Sequence, residues 1–289
     1  MPRPRSEIVA DVLTWYDENA RDLPWRREEC SPWGVMVSEV MLQQTPVMRV
    51  LPVWHAWMQR WPTPADLAAE ESGEAVAAWG RLGYPRRAKR LHAAARAIVD
   101  HHAGQVPADP EVLRGLPGIG DYTAAAIASF GYRRRAAVVD TNVRRLQARL
   151  DLAEGETSST TRADKERALR WMPLDAADAC RWAAASMELG ALVCTARSPA
   201  CEACPVSGDC AWLAAGRPTS SAPRRVQPWQ GTDRQCRGVL LAALREQRGG
   251  LQLEPLLSHW REDPDQAERC LQSLLDDELV QLEGGRYRI

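Results

Sequence analysis

The sequence is poor in lysine: of its 37 basic residues only Lys89 and Lys165 are lysine, and the rest are arginine. Codon usage explains that bias as well as phosphate binding does, although planar guanidinium forks suit phosphates. Neither sign of charge is in surplus, since 37 Lys and Arg face 38 Asp and Glu for a net charge of −1. A wholesale polycation of the histone kind is thereby excluded. A nucleic-acid enzyme with local positive charge is not, because a partner feels the field of one face rather than the sum over the chain. No run approaches ~18 uninterrupted apolar residues, so no membrane span is expected. The opening MPRPRSEIVADVL carries no apolar segment followed by a small-residue cleavage site, so no secretory signal is read and a cytoplasmic protein is expected. Internal repeats, coiled-coil heptads and, before residue 216, strand-like alternation are also missing.

What is present is helical. With 45% hydrophobic and 26% charged residues the 289-residue chain is ordinarily globular, long enough for one large or two medium domains. Apolar spacing near 3.6, cut by Gly and Pro, predicts helices near 6–19, 34–45, 47–60, 72–79, 86–102, 109–114, 121–131, 142–150, 161–171 and 175–191. The Pro-, Ser-, Gly- and Arg-rich stretch 216–232 reads as a linker. Beyond it, 233–289 predicts helices near 233–246 and 264–277, a short segment near 253–260, and a hairpin turning at Gly284-Gly285. That pattern suggests a small winged-helix-like α+β module.

Four of the eight cysteines crowd into Cys194-x6-Cys201-x2-Cys204-x5-Cys210, with Pro199 and Pro205 turning the backbone between them. Four thiolates within seventeen residues must wrap a compact object, either a [4Fe–4S] cluster or a structural zinc. Zinc sites usually show two CxxC knuckles, and here there is one. The isolated Cys30, Cys180, Cys236 and Cys270 read as ordinary small core residues.

Leu116-Pro117-Gly118-Ile119-Gly120 lies between two helical segments. Gly118 and Gly120 let the backbone turn tightly and aim N–H groups outward at the next helix start, an anion site that reads no base. Two carboxylates stand in unusual company. Glu39 shares its helix face with Val35, Met36 and Leu42, and burial there would raise its pKa from ~4.3 toward about 6–7, roughly 3 kcal/mol that a site keeps only for use. Asp140 ends the apolar run Ala136–Val139 at a helix start, where an ordinary N-cap explains it equally well.

Leu23-Pro24-Trp25-Arg26, Ser38-Glu39-Val40-Met41-Leu42-Gln43-Gln44-Thr45, Leu82-Gly83-Tyr84, the LPGIG hairpin followed by Asp121-Tyr122-Thr123-Ala124, Val139-Asp140-Thr141-Asn142 and the four cysteines occur in an order that resembles the helix-hairpin-helix base-excision glycosylases. Within that superfamily of endonuclease III relatives, the string resembles the MutY-type adenine glycosylases, and the likeness covers roughly residues 6–215. The resemblance implies a mainly α, two-lobed fold: a six-helix domain at 27–136, and a lobe of 137–215 joined by the N-terminal segment 1–26 and carrying a [4Fe–4S] cluster on Cys194, Cys201, Cys204 and Cys210. The implied activity is hydrolytic removal of adenine opposite 8-oxoguanine or guanine in double-stranded DNA, by a nucleoid-associated monomer.

The resemblance also implies roles. Glu39 would protonate adenine N7 and later act as base, Asp140 would stabilise the sugar cation, and Asn142 would orient Asp140 or the water. Tyr122 stands where bifunctional relatives carry a Schiff-base lysine, so strand cleavage is not expected. Gln43 would contact the DNA at the end of its helix, Gln44 and Tyr84 would fill the stack left by the flipped base, and Thr45 and Leu82 would touch the opposite guanine. Arg21, Trp25 and Arg26 would line the adenine pocket. A thymine glycosylase acting opposite guanine, or a non-catalytic iron–sulfur DNA sensor, are the competing readings.

Departures from the family pattern are Ala184, where Gln or Glu often faces adenine, Arg81 and Pro85 around Leu82-Gly83-Tyr84, and the lack of room after the linker for a Nudix-like module. Charge is uneven: residues 81–149 hold 13 cations against 5 anions, and 231–289 hold 8 against 11. The expectation is salt-sensitive DNA binding that is lost when Arg86, Arg87 and Arg144 are neutralised, with the acidic tail no primary grip.

Overall fold

The computed structural model describes residues 3–154, 160–218 and 229–289. Most of the expected 216–232 linker lies outside the described residues. Fifteen helices and one hairpin are described: α1 Arg5–Asn19, α2 Pro32–Leu42, α3 Val47–Arg60, α4 Pro64–Ala68, α5 Ser72–Ala78, α6 Arg86–His101, α7 Pro110–Arg114, α8 Asp121–Ala126, α9 Thr141–Asp151, α10 Arg162–Trp171, α11 Ala176–Leu192, α12 Ala211–Ala214, α13 Asp233–Glu246, α14 Leu253–Leu257 and α15 Pro264–Asp276, then β1 Gln281–Glu283 and β2 Arg286–Arg288. The mainly α class follows the sequence closely. The periodicity missed α4 and α12, each shorter than the window in which a helical period can be counted. The helix expected over 121–131 changes at Ile127 into a π turn that ends at Gly131.

Starts and stops have local causes. Thr63 with Asp66 and Thr161 with Asp164 form reciprocal capping boxes for α4 and α10. Asp140, Asp175, Thr232 and Asp263 accept a backbone N–H at the starts of α9, α11, α13 and α15. The hairpin pairs Leu282 with Tyr287 around Gly284 and Gly285, whose φ values of 55° and 76° only glycine adopts at little cost.

The chain divides into two compact units. The first comprises Met1–Val35, Ala108–Arg114 and Ile119–Pro223, and the second Met36–Pro107, Gly115–Gly118 and Arg224–Ile289. In the first unit, Val12 of α1, Leu146 of α9, Trp171 of α10 and Trp182 and Leu189 of α11 form one core that continues to Cys194 and Val206. Trp171 and Trp182 stack at 5.9 Å between ring centres. In the second, Trp57 meets Trp61 and Trp79 edge-on at 4.8 and 5.5 Å. These three rings are fully buried, and the Trp79 indole N–H leaves the core to donate to the Gly83 carbonyl at 2.9 Å.

Candidate active site and cluster loop

In the second unit, α2 carries Glu39 among Met36, Val37, Val40 and Met41, all buried, and Glu39 itself is only 5% exposed. Glu39 is thus buried, as its place among apolar helix residues led one to expect. After the helix, Gln43, Gln44 and Thr45 form a turn in which Gln44 has φ 55° and is exposed. The loop Leu82-Gly83-Tyr84 repeats that design: Tyr84 has φ 48° and is 49% exposed. Non-glycine residues seldom take left-handed backbone, and when they do the surroundings must hold them there. The two residues expected to fill the base stack therefore share both exposure and this conformation.

Arg87 supplies the hold on both loops. Its guanidinium donates to the carbonyls of Val40, Met41 and Gln43 at 2.9, 3.0 and 2.6 Å, which lie at the end of α2 and just beyond it. It also donates to the Gly83 carbonyl at 3.0 Å and the Thr45 hydroxyl at 3.0 Å. The Trp79 and Tyr84 rings lie 5.1 and 5.6 Å from its central carbon. Burial lowers the Arg87 pKa to about 10. Arg87 was expected to meet phosphate; it is instead buried and committed to the protein's own carbonyls. Nothing in the arginine-rich string 86–90 distinguishes it from its neighbours, so the sequence held no signal of this role. Thr45 and Leu82, expected at the opposite guanine, are buried, and the Thr45 hydroxyl is within 3.3 Å of the Leu82 carbonyl.

The hairpin glycines divide their work. Gly118 has φ 80°, and a Cβ there would come within 2.9 Å of the Arg90 Cβ. Gly120 is the N-cap of α8, with extended backbone that any residue could adopt. Gly118 is the position that requires glycine.

The first unit holds the other carboxylate. Asp140 caps α9, its Oδ1 accepting the Val143 N–H at 2.7 Å, and Asn142 Nδ2 donates to its Oδ2 at 2.8 Å. Burial pushes the Asp140 pKa above its ordinary value, opposed by the Val143 N–H, Asn142 and Arg145. Arg145 donates to Asn142 Oδ1 at 2.7 Å, to the Gly190 carbonyl at 2.6 Å and to the Cys194 carbonyl at 2.7 Å. A Cβ on Gly190 would stand 2.7 Å from that of Asn142, so the close approach of α11 to α9 fixes the amide. The N-cap expected of Asp140 is therefore present, and both of its carboxylate oxygens are engaged. Tyr122 packs against the buried cluster of Ala126, Val138 and Ala183. Ala184 is half-buried. Arg144, the other expected phosphate contact, is buried and donates to the Thr160 hydroxyl at 2.9 Å.

Arg21 and Arg26 converge on a residue whose role the sequence did not reveal. Glu188 of α11 is fully buried; Arg21 grips both of its oxygens at 2.7 Å and Arg26 donates to Oε2 at 2.7 Å. Burial works to raise the Glu188 pKa, but the two guanidinium groups outweigh it and hold the carboxyl at about 2. A carboxylate inside the apolar α11 segment was the available signal. Trp25 is buried beside them in the turn Pro24–Arg26.

The four cysteines line one hollow, partly open to solvent, closed otherwise by Leu146, Leu150, Val193, Val206 and Trp212. Among the described residues no three His, Cys, Asp or Glu side chains gather as a site for a metal ion. Burial, followed by the neighbouring Cys194, Cys210 and Cys201, pushes the Cys204 thiol up to about 11. Four crowded thiols with apolar walls fit a group that brings its own positive charge. Arg149 approaches Cys194 Sγ at 3.1 Å while it stacks on Trp212 at 4.2 Å.

Comparison with known proteins agrees. The profile of the HhH-GPD superfamily base excision DNA repair proteins matches residues 37–171, and that of the iron–sulfur binding domain of endonuclease III matches 194–210. The [4Fe–4S] cluster is therefore the cofactor of the cysteine loop. An adenine DNA glycosylase of Mycolicibacterium smegmatis is 49% identical over 280 residues, 96% of this chain and 94% of that protein. The chain belongs to the adenine DNA glycosylase family. The human adenine DNA glycosylase is 42% identical over 71% of this chain and 40% of its own length. A thermostable thymine-DNA glycosylase of known structure superposes with a TM-score of 0.67 at 25% identity, over 73% of this chain and 97% of that one. An endonuclease III–DNA complex does so at 0.63 and 20% identity, over 74% and 98%, which supports the fold. DNA binding follows from this membership. Among the described residues no helix is long and apolar enough to cross a membrane.

Proposed function

We propose that the chain removes adenine mispaired with 8-oxoguanine or guanine in duplex DNA, by hydrolysis and without strand cleavage. The observation that carries the chemistry is the burial of Glu39 on α2, with 5% of its surface exposed. A carboxyl so placed is suited to hold a proton until it meets adenine N7. Protonation at N7 lets the base leave neutral as the bond to C1′ breaks. The Asp140 carboxylate, aligned by Val143 and Asn142, then faces the cationic sugar. Water adds its oxygen to C1′ and gives its proton to Glu39, which restores the acid. Tyr122 offers no amine for an imine, so the product is an abasic site. Gln44 and Tyr84 fill the vacated stack, and Arg21 and Arg26, tied to Glu188, shape with Trp25 the pocket that takes the base. Arg21 and Arg26 do this by holding the wall rather than by reading the base edge directly. The six-helix and cluster lobes at 27–136 and 137–215 remain the functional division of this reading, with a monomer as the acting species. The cluster, when bound, supplies iron–thiolate bonds that cross-link Cys194 to Cys210.

The test is base release from duplexes with A, T or C opposite 8-oxoguanine or guanine, with and without alkali. Adenine is expected to be released, with strand breaks only after alkali. Glu39→Gln should lower single-turnover release by on the order of 100-fold or more with the thermal midpoint retained. Release of thymine in place of adenine, or an E39Q protein as fast as wild type, would overturn the reading.

A further inference from the structure

The C-terminal module is fixed to the part of the chain that carries Tyr84. Asp277, at the end of α15, bridges Arg86 at the start of α6 and Arg237 of α13. The Asp277 side chain is only 11% exposed and that of Arg237 21%, so this half of the bridge is sheltered, while Arg86 reaches it from the surface. Lys89 extends the contact, pairing with Glu278 and donating to the Asp277 carbonyl at 3.3 Å. On α5, a Cβ at Gly73 would lie 2.6 Å from the Ile289 carbonyl carbon, so the chain end abuts that helix closely. The docking brings exposed Arg234, in the first turn of α13, to within 5.9 Å of the Tyr84 ring, on which Arg87 also lies. Arg81, Arg86 and Arg90 are likewise exposed in the segment flanking the loop.

We propose that the C-terminal module extends the DNA interface, with Arg234 contacting a backbone phosphate beside the Tyr84 loop and Asp277 acting as the clasp that holds it there. This rests on the reading of Tyr84 as a residue that enters the DNA stack. A strand distorted around an inserted aromatic ring passes its phosphates along the rim of that ring, and a guanidinium at the rim is suited to one of them. The net negative charge of the module does not oppose this, since Asp277 and Glu278 are neutralised within the dock and a phosphate senses the local cation.

An opposite reading of the same ion pairs is that Asp277 and Glu278 occupy cations that DNA needs, so that the module blocks binding. The two differ in sign. Binding is measured by fluorescence anisotropy on a labelled duplex with adenine opposite 8-oxoguanine and on the matched duplex, across a salt series, for the full chain. Arg234→Gln should weaken binding to both duplexes and reduce the slope of log K against log[salt] by about 0.9. Asp277→Asn removes a negative charge yet should also weaken binding and lower the slope, because the module is released. An unchanged slope for R234Q overturns the proposal, and so does unchanged or tighter binding by D277N. Arg234 is exposed at a helix start, so its variant folds whatever happens to D277N. Adenine release is read separately: a wild-type chain that binds with these slopes but releases no adenine sinks the proposed function and leaves this one standing. Tyr84→Ala with unaltered binding and release removes the wedge premise by itself.

Discussion

At the scale of single residues, the same chemical type serves opposite ends according to where it is held. Arg21 and Arg26 keep Glu188 ionised inside the protein, with its carboxyl at about 2, while burial pushes Asp140 the other way. The sign for Asp140 follows from linkage. A carboxyl whose folded-state pKa lies above its unfolded value costs stability once pH exceeds that unfolded value, near ~3.9, and the cost is complete above the raised value. Asp140→Asn can still cap α9 through Val143. Its thermal midpoint relative to wild type is therefore expected to rise as pH increases past the ordinary carboxyl value of ~3.9, because the wild-type group then bears the cost of a buried charge. Adenine release by the same variant should fall by on the order of 100-fold or more. A midpoint difference that does not change with pH would show that Asp140 carries no burial penalty. Glu188 gives the contrary case: its lowered pKa contributes stability above the unfolded carboxyl value, and that stability is lost as pH falls toward about 2.

Elements here are positioned less by their own propensities than by side chains that reach across to them. The end of α2 and the Leu82-Gly83-Tyr84 loop are held by one guanidinium, with the Trp79 indole as second support for Gly83. Arg87→Met keeps most of the stem packing and removes the donors, leaving several buried carbonyls without a partner. A loss of roughly 3 kcal/mol in urea unfolding is expected, together with weaker selectivity for mispaired over matched duplex. Arg87→Lys should recover only part, since an ammonium lacks the planar fork. Little change in either variant would mean that water satisfies those carbonyls. The sequence located α2, α6 and both loops to within a few residues, because apolar period, proline and glycine are local signals. It misjudged Arg87 and Arg144 for a physical reason: an arginine in a basic string looks the same whether its head faces water or a ring of carbonyls.

For the whole molecule, the cluster loop does what a cross-link does in a chain otherwise free of covalent constraint among the described residues, where all eight cysteines are unpaired. Residues 194–210 contain only two short 3-10 turns, Cys201–Ala203 and Ser207–Asp209, yet their cysteines continue the core built from α1, α9, α10 and α11. Cys204→Ser removes one iron ligand from the hollow. Iron bound per chain and the visible absorbance of the cluster are expected to fall. Guanidine unfolding should lose about 3 kcal/mol, the scale of closing a loop of similar length. Full stability without iron would show that the apolar walls alone hold the loop.

The sequence by itself determined the helical class, the crowding of four cysteines into one short loop and the glycine turn between α7 and α8. Each of these depends on spacing along the chain or on the chemistry of one residue type, and neither changes with folding. Only the tertiary structure decided which arginines are free to meet DNA, what anchors Arg21 and Arg26, and where the acidic C-terminal module is fastened. Those outcomes depend on which groups lose water together: a charge such as Arg87 or Glu188 is placed by partners far away in the chain, and desolvation makes those partners obligatory.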